Sequence, residues 1–392
     1  MTEVSPILLR SLHMQNFLSF GPDTPELALG PLNLLIGPNG SGKSNLIEAI
    51  CLLRASPTSL ADTLRQGGGV QEWIWKGAPK STAAVGAVLA GPRGQQPLRH
   101  TIEFEAEEQA FHLRDERIES EHPDVGKEVP FFFYKYQEGK PVVNVNGKQR
   151  GLKRETVEAD KSILAQRKDP EQYPEITHLG QQYGGVRAYR EWAFGRNTIF
   201  REPQRADMRN DRLAEDFSNL GLFLNRMRRS PDAKNEMIRY LRDLYEGVDD
   251  FDTIIEGGSV QVFFTEGRLS IPATRLSDGT LRYLSLLAVL CDPSPPPLIC
   301  IEEPELGLHP DILPKIADLL VEASHRTQLI VTTHSDILVD AMTERPEAVV
   351  VCEKHEGQTQ MTRLAAADLA IWLEDYRLGQ LWTRGDLGGT RW

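Results

Sequence analysis

The sequence predicts an α/β fold, and three stretches predict it. "LNLLIG" (32–37), "GPNGSGKS" (37–44) and "SNLIEAICLLRA" (44–55) read as strand, Gly-rich turn and one-sided apolar helix in direct succession. "PPPLICIEEP" (295–304) is a buried strand after a Pro-rich turn. "QLIVTTHS" (328–335) is another, separated from it by the helical pattern "PDILPKIADLLVEAS" (310–324).

The other elements can be read in chain order. "ILLRSLHMQNFLSF" (7–20) alternates as a strand does. Residues 82–147 hold four strand-like runs separated by turn signals and predict antiparallel β structure. Within it, 103–128 carries ten acids and three bases, which reads as a solvated hairpin face. From about 160 to 250 the pattern turns helical and basic, and 182–242 holds thirteen Lys/Arg against eight acids. "SVQVFFTEGRLSIPATRLS" (259–277) reads as a hairpin that leads into "LSDGTLRYL" (276–284), the start of an apolar helix. The expected division is a nucleotide-binding lobe of 1–165 and 260–392 and a helical, basic lobe of 166–259.

With 392 residues, 40% hydrophobic and 26% charged, the chain can bury a core as one large domain or two ordinary ones. A net charge of −12 argues against a broadly basic nucleic-acid coat, while leaving room for a local basic patch. The four cysteines form no Cys-x-x-Cys and lie in apolar contexts, so buried reduced thiols are expected. No apolar run approaches the roughly 18 residues of a membrane span, and the N-terminus has no signal-peptide pattern. The expected location is cytoplasmic.

The chemistry collects at strand ends. Gly37, Gly42, Lys43 and Ser44 fit a phosphate-binding loop whose backbone N–H groups turn inward around phosphate oxygens. Lys43 would reach the β- and γ-phosphates and the Ser44 hydroxyl would take one Mg²⁺ position. Glu302 and Glu303 come after an apolar strand, where ligands collect in α/β sheets. Glu302 would hold Mg²⁺, directly or through water, and Glu303 would orient or deprotonate the attacking water. His334 ends the next strand and could contact the γ-phosphate.

The order "GPNGSGKS", "LSDGTLRYL", "CIEEPELGLHP", "VTTHSD" resembles the ABC-type ATPase heads of the RecF/SMC-like group. More closely, it resembles compact bacterial AAA-family ATPases related to OLD-family proteins, and "LLRSLHMQNFLSFG" is similar to that group's opening strand pair. The resemblance covers the first 55 or so residues and 260–345, and the middle only loosely. It implies a P-loop NTPase of ABC-head type with two lobes, binding ATP and Mg²⁺. Gly37, Pro38, Asn39, Gly40, Ser41, Gly42, Lys43 and Ser44 match the Walker A loop, with Asn45 beside them. Glu302 and Glu303 match the Walker B acid and catalytic glutamate, although the family usually has Asp-Glu there. Residues 305–310 match the D-loop and His334 the switch histidine. Ser277, Asp278 and Gly279 match the signature, with Asp278 in the first Gly position. A Q-loop glutamine is expected near the lobe boundary, either Gln166 or Gln66.

The implied function is ATP hydrolysis coupled to head dimerisation, with Ser277 and Gly279 closing over ATP held by the opposing protomer. A homodimer would regulate a separately encoded effector, such as a nuclease, or a DNA transaction in antiphage defence or DNA maintenance. The alternatives are the ATPase subunit of a membrane transporter and a non-hydrolysing ATP-bound scaffold. A Toprim domain does not fit in the residues after "VVVCEK" (349–354), and there is no long coiled coil. The tail, with Trp372, Trp382 and Trp392, would dock on the protein's own surface or on a partner.

Overall fold

The computed structural model describes residues 7–389, apart from residues 93, 138, 146–147, 153–157, 159, 193–194, 196–197 and 199–200. Its centre is a six-stranded sheet in the order Arg187–Tyr189, Leu298–Glu302, Gln328–Thr332, Leu32–Ile36, Val349–His355, Gln358–Arg363. The first five are parallel and the last is antiparallel. Their apolar runs reflect burial on both faces. Successive side chains alternate, so Leu34, Ile36, Ile299, Ile301, Leu329 and Val331 enter one core. Leu35, Leu298, Cys300 and Ile330 enter the other.

The first core is closed by the helices Leu220–Met227, Pro231–Leu244, Asp278–Leu290 and Leu313–Ala323. The second lies under the phosphate-loop helix Lys43–Ala55 and an eight-stranded antiparallel sheet. That sheet runs Leu27–Ala28, Leu9–Gln15, Ala83–Leu89, Leu98–Glu107, Ala110–Ser120, Phe132–Gln137, Lys140–Val145, Lys148–Gly151. A third, four-stranded sheet is built from Gln204–Arg205, Asp250–Glu256, Ser259–Glu266 and Leu269–Pro272.

Several expectations change. The segment 7–20 is one strand to Gln15 and then a tight turn, in which Asn16 and Leu18 take left-handed backbone and Phe17 pairs with Phe20. The acidic hairpin is not solvated throughout. Glu116 is fully buried, where it accepts from the Ser162 hydroxyl and the Ile163 N–H and pairs with His100 at 3.1 Å. The expected lobe 166–259 does not coincide with the elements. Helix Pro174–Gly185 packs on the phosphate-loop helix and Arg187–Tyr189 is an edge of the central sheet, so the chain leaves that sheet only after Tyr189. Beyond Tyr189 the segment is mixed α/β and not purely helical, because the four-stranded sheet spans 204–272.

The basic stretch is also largely neutralised. Of its thirteen bases, Arg190, Arg201, Arg205, Arg209, Arg226, Arg228, Lys234 and Arg239 are in ion pairs. Most of their partners lie outside the stretch, at Glu48, Asp250, Asp252, Asp278, Asp292, Glu302 and Glu322. Arg196 lies outside the described residues. The four cysteines are buried and unpaired, as expected. Among the described residues no helix is long and apolar enough to cross a membrane.

The tail docks on the protein itself. Helix Leu378–Arg384 buries Leu378, Leu381 and Trp382, and Gly379 N–H donates to Asp340 Oδ1 at 2.7 Å. Gly389 N–H then donates to Glu353 Oε1 at 2.9 Å, beside the phosphate loop. Trp372 stays half-exposed, and Trp392 lies outside the described residues.

One buried amide joins the first strand to the central sheet. Gln328 Oε1 accepts from the N–H groups of Leu8 (3.1 Å) and Leu9 (2.8 Å), and its Nε2 donates to Leu9 O (2.8 Å) and Gly30 O (3.0 Å). Gln328→Ala leaves these buried backbone groups unmet. It should lower unfolding free energy by at least about 2 kcal/mol, read as a lower urea midpoint at unchanged slope.

Candidate nucleotide site

The phosphate loop closes against two strands. A Cβ on Gly37 (φ 144°) would come within 2.2 Å of Cys352 O, and one on Gly42 (φ 100°) within 2.2 Å of Thr359 Oγ1. Both positions therefore require glycine. Thr359 also donates to Ser41 O at 2.9 Å and pairs with Ser19 Oγ at 2.6 Å, which in turn accepts from Asn45 Nδ2 at 2.7 Å. The N-terminal turn and the last strand of the sheet thus brace the loop. The helix that begins at Lys43 has no side-chain cap and no acid in its first turn, so its N–H groups stay open to an anion. Asn39, Gly40 and Ser44 are exposed.

Lys43 lies folded across the loop, donating to Gly37 O (2.7 Å) and Pro38 O (3.1 Å). Burial lowers its pKa, opposed by the fields of Cys352, Glu303, Glu305 and Glu302. One ammonium therefore senses all three carboxylates of the 302–305 turn.

The parallel register sets that turn. Glu302 pairs with Thr332, which pairs with Leu35, so the phosphate loop, the acids and His334 all start just beyond one line. Glu303 adopts left-handed backbone, with φ of 46°. That conformation costs of order 1–3 kcal/mol in a non-glycine residue and persists only where neighbours enforce it. Here Glu303 N–H donates to Thr332 O at 3.0 Å, and Glu303 O accepts from Arg282 Nη2 at 2.8 Å. The result is a half-exposed carboxylate whose Oε1 lies 3.6 Å from His334 Nε2, an ion-pair distance rather than a hydrogen bond.

Three further residues hold this arrangement together: Glu305, expected only as part of the D-loop, and Arg282 and Arg190, for which the sequence suggests no role in the site. Glu305 Oε1 accepts from Thr333 Oγ1 (2.7 Å) and the His334 N–H (2.8 Å), which fixes the switch turn; burial raises its pKa against those two bonds. Arg282, on the helix that "LSDGT" opens, is buried over the Trp192 ring at 4.6 Å, and burial pushes its pKa down to about 10. Arg190 lies in parallel register beside Glu302, and its Nε donates to Glu302 Oε1 at 3.3 Å and its Nη1 to Glu48 Oε1 at 2.7 Å. Burial disfavours the Arg190 charge, but Glu302 and Glu48 outweigh this and raise its pKa.

The "LSDGT" turn is a working cap. Ser277 Oγ accepts from the Thr280 N–H at 3.0 Å, and Ser277 and Asp278 are exposed. Arg201 pairs with Asp278. Gly279 lies against the carbonyl of Gly307 in the 305–310 turn. Among the described residues, neither expected Q-loop glutamine has a hydrogen bond to the loop or the acids. Gln166 spends its amide on its own turn, accepting from Glu158 N–H at 2.8 Å and donating to Lys161 O at 2.8 Å. Gln66 is exposed at the end of the helix Leu60–Gln66. Arg190 instead stands where the chain leaves the central sheet.

Oxygen donors at Ser44 and Glu302 suit Mg²⁺, which keeps several waters and takes one or two protein donors beside substrate phosphates. Among the described residues no three His, Cys, Asp or Glu side chains form a metal cage of their own. The first helical turn also borders a cleft of about 420 Å³ lined by Ser19, Asn45, Trp75, Lys76 and Lys354.

Residues 32–340, most of the chain, match the family described as "AAA domain, putative AbiEii toxin, Type IV TA system". The chain belongs to this AAA-domain family. Among curated proteins it is similar to the chromosome partition protein Smc of Gloeobacter violaceus, 35% identical over 82 residues, 21% of this chain and 7% of that one. It is equally similar to Smc of Desulfitobacterium hafniense, 35% identical over 100 residues, 24% of this chain and 8% of that one. The chain thus spans less than a tenth of the length of these relatives.

Among solved structures it is similar to the Smc head domain of Pyrococcus furiosus, bound to the C-terminal domain of ScpA. The TM-score is 0.57 at 14% identity, covering 94% of this chain and 99% of that one. The Smc head of Pyrococcus yayanosii gives 0.53 at 12% identity over 94% and 99%. The AAA-family chain therefore has the P-loop fold of an SMC-type ATPase head, as its motif order implied.

Proposed function

We propose that this AAA-family protein binds ATP with Mg²⁺, hydrolyses it, and closes two copies around the nucleotide to switch a separately encoded protein effector. The observation that supports this best is Glu303. A strained glutamate held half-exposed between Thr332 and Arg282, beside His334, suits a base more than a structural residue.

The phosphates of ATP lie along the open N–H groups of Gly42 to Asn45, and Lys43 swings from its own loop carbonyls to the β- and γ-phosphates. Ser44 and Glu302 would hold Mg²⁺, which would supply positive charge against the phosphate oxygens. Glu303 takes a proton from water as its oxygen attacks the γ-phosphorus and the bond to the β–γ bridging oxygen breaks, giving ADP and phosphate. His334, fixed by Glu305, contacts the γ-phosphate and registers its loss.

Ser277 is exposed and Gly279 half-buried at this helix start, and in a closed dimer the Ser277 hydroxyl and the N–H groups around Gly279 would meet the opposing copy's ATP. A protein effector is favoured over DNA, because eight of the thirteen bases in 182–242 are already paired with acids. The solved Smc heads that carry a ScpA domain set the precedent for a protein partner. A toxin–antitoxin family description and chromosome-partition relatives are in keeping with defence or DNA maintenance.

Glu303→Gln should keep ATP bound, slow turnover by about two orders of magnitude or more, and accumulate a dimer on size-exclusion chromatography with ATP. An unchanged rate would remove Glu303 as the base. Ser277→Arg should leave ATP binding by the single chain intact and abolish both the dimer and hydrolysis. Persistent hydrolysis would return "LSDGT" to a plain helix cap.

A further inference from the structure

Arg190 is the first residue beyond the strand Arg187–Tyr189, whose register sets Tyr189 against Ile301 and hence Arg190 beside Glu302. Glu48 lies one helical turn after Ser44 and faces the same way. The guanidinium joins these two acids, at 2.7 Å to Glu48 and 3.3 Å to Glu302. Two carboxylates that share one cation leave a net charge of −1, where a bare pair would offer −2. Each partner is partly shielded from water, with side-chain exposures of 30%, 27% and 19% for Arg190, Glu48 and Glu302. The pairing is therefore less screened than a surface ion pair.

Arg190 is also tethered. Trp192 Nε1 donates to Glu302 O at 2.8 Å, and the Trp192 ring lies under Arg282, which holds Glu303 O. The guanidinium is thus set against the acid by strand register and by the indole two residues on, not by a free side-chain search.

We propose that Arg190 is a positioning residue that competes with the divalent metal for Glu302, so that the acid takes metal weakly by itself and readily when nucleotide phosphates bring it. The inference rests on the Mg²⁺–ATP reading of the site. In the nucleotide-free chain a metal ion at Ser44 and Glu302 meets a fixed positive charge beside its ligand and binds weakly. Metal that arrives with ATP carries the phosphates' negative charge with it, and these displace Arg190 from Glu302 while Glu48 retains it.

The test is Mn²⁺ titrated into the nucleotide-free full chain and followed by EPR of the free ion. Arg190→Gln should bind Mn²⁺ at least about tenfold more tightly than the wild type. Arg190→Lys, which restores the charge, should stay within about threefold of it. Equal affinity in wild type and Arg190→Gln would overturn the proposal, and so would equal tightening by Gln and Lys. The wild type gives a second readout that needs no substitution. Saturating Mn²⁺ should raise the rate at which phenylglyoxal modifies Arg190, by mass spectrometry of its peptide, and an unchanged rate would overturn the displacement. Failure of the ATP reading is seen separately, as absent nucleotide binding by the wild type with and without EDTA.

Discussion

The parallel register of the central strands is the constraint on which the rest of the head depends. Leu35, Thr332 and Glu302 lie in one row across the sheet, and Arg190 comes directly after the strand beside Glu302. Everything with chemistry begins one or two residues beyond that row: Gly37, Glu303, His334. A shift of one residue in the acid strand would exchange Ile301 for Glu302 and turn that acid into a core position. The two cores oppose that shift, because Ile299 and Ile301 fill one and Leu298 and Cys300 fill the other.

The second constraint is mechanical. Arg282 belongs to the helix that the signature turn opens, yet its guanidinium holds the carbonyl of Glu303 and lies over Trp192, whose indole holds the carbonyl of Glu302. The same segment continues to Arg201, which pairs with Asp278 at the signature turn. In the proposed dimer, contact at Ser277 would therefore bear on the backbone of the acids through packed side chains within one chain. On the other side of the loop, the tail joins Asp340 behind the switch turn to Glu353 beside Gly37.

The motifs were legible in the sequence because each lies at the end of an apolar run, where local pattern and chemistry coincide: "LNLLIG" before the loop, "LICI" before the acids, "QLIV" before the histidine. What escaped reading depends on contacts between distant residues. Arg190 counted only as one base in a basic stretch, since its partners are 142 and 112 residues away. Glu116 looked like part of a solvated face because the groups that bury it, His100, Ser162 and Tyr183, lie on other elements. Of the two glutamines expected near the lobe boundary, Gln66 and Gln166, the amide of Gln166 is satisfied within its own turn.

In the proposed dimer each ATP site is shared, with the phosphate loop from one copy and Ser277 from the other. The most direct test is the ATPase activity of a one-to-one mixture of Lys43→Ala and Ser277→Arg chains. Each variant alone should be inactive. In a mixed dimer one site combines the intact loop of the Ser277→Arg chain with the intact Ser277 of the Lys43→Ala chain, so the mixture should recover activity that neither variant has alone, up to about half that of the wild type. A mixture as inactive as its components, with mixed dimers present, would contradict the shared site.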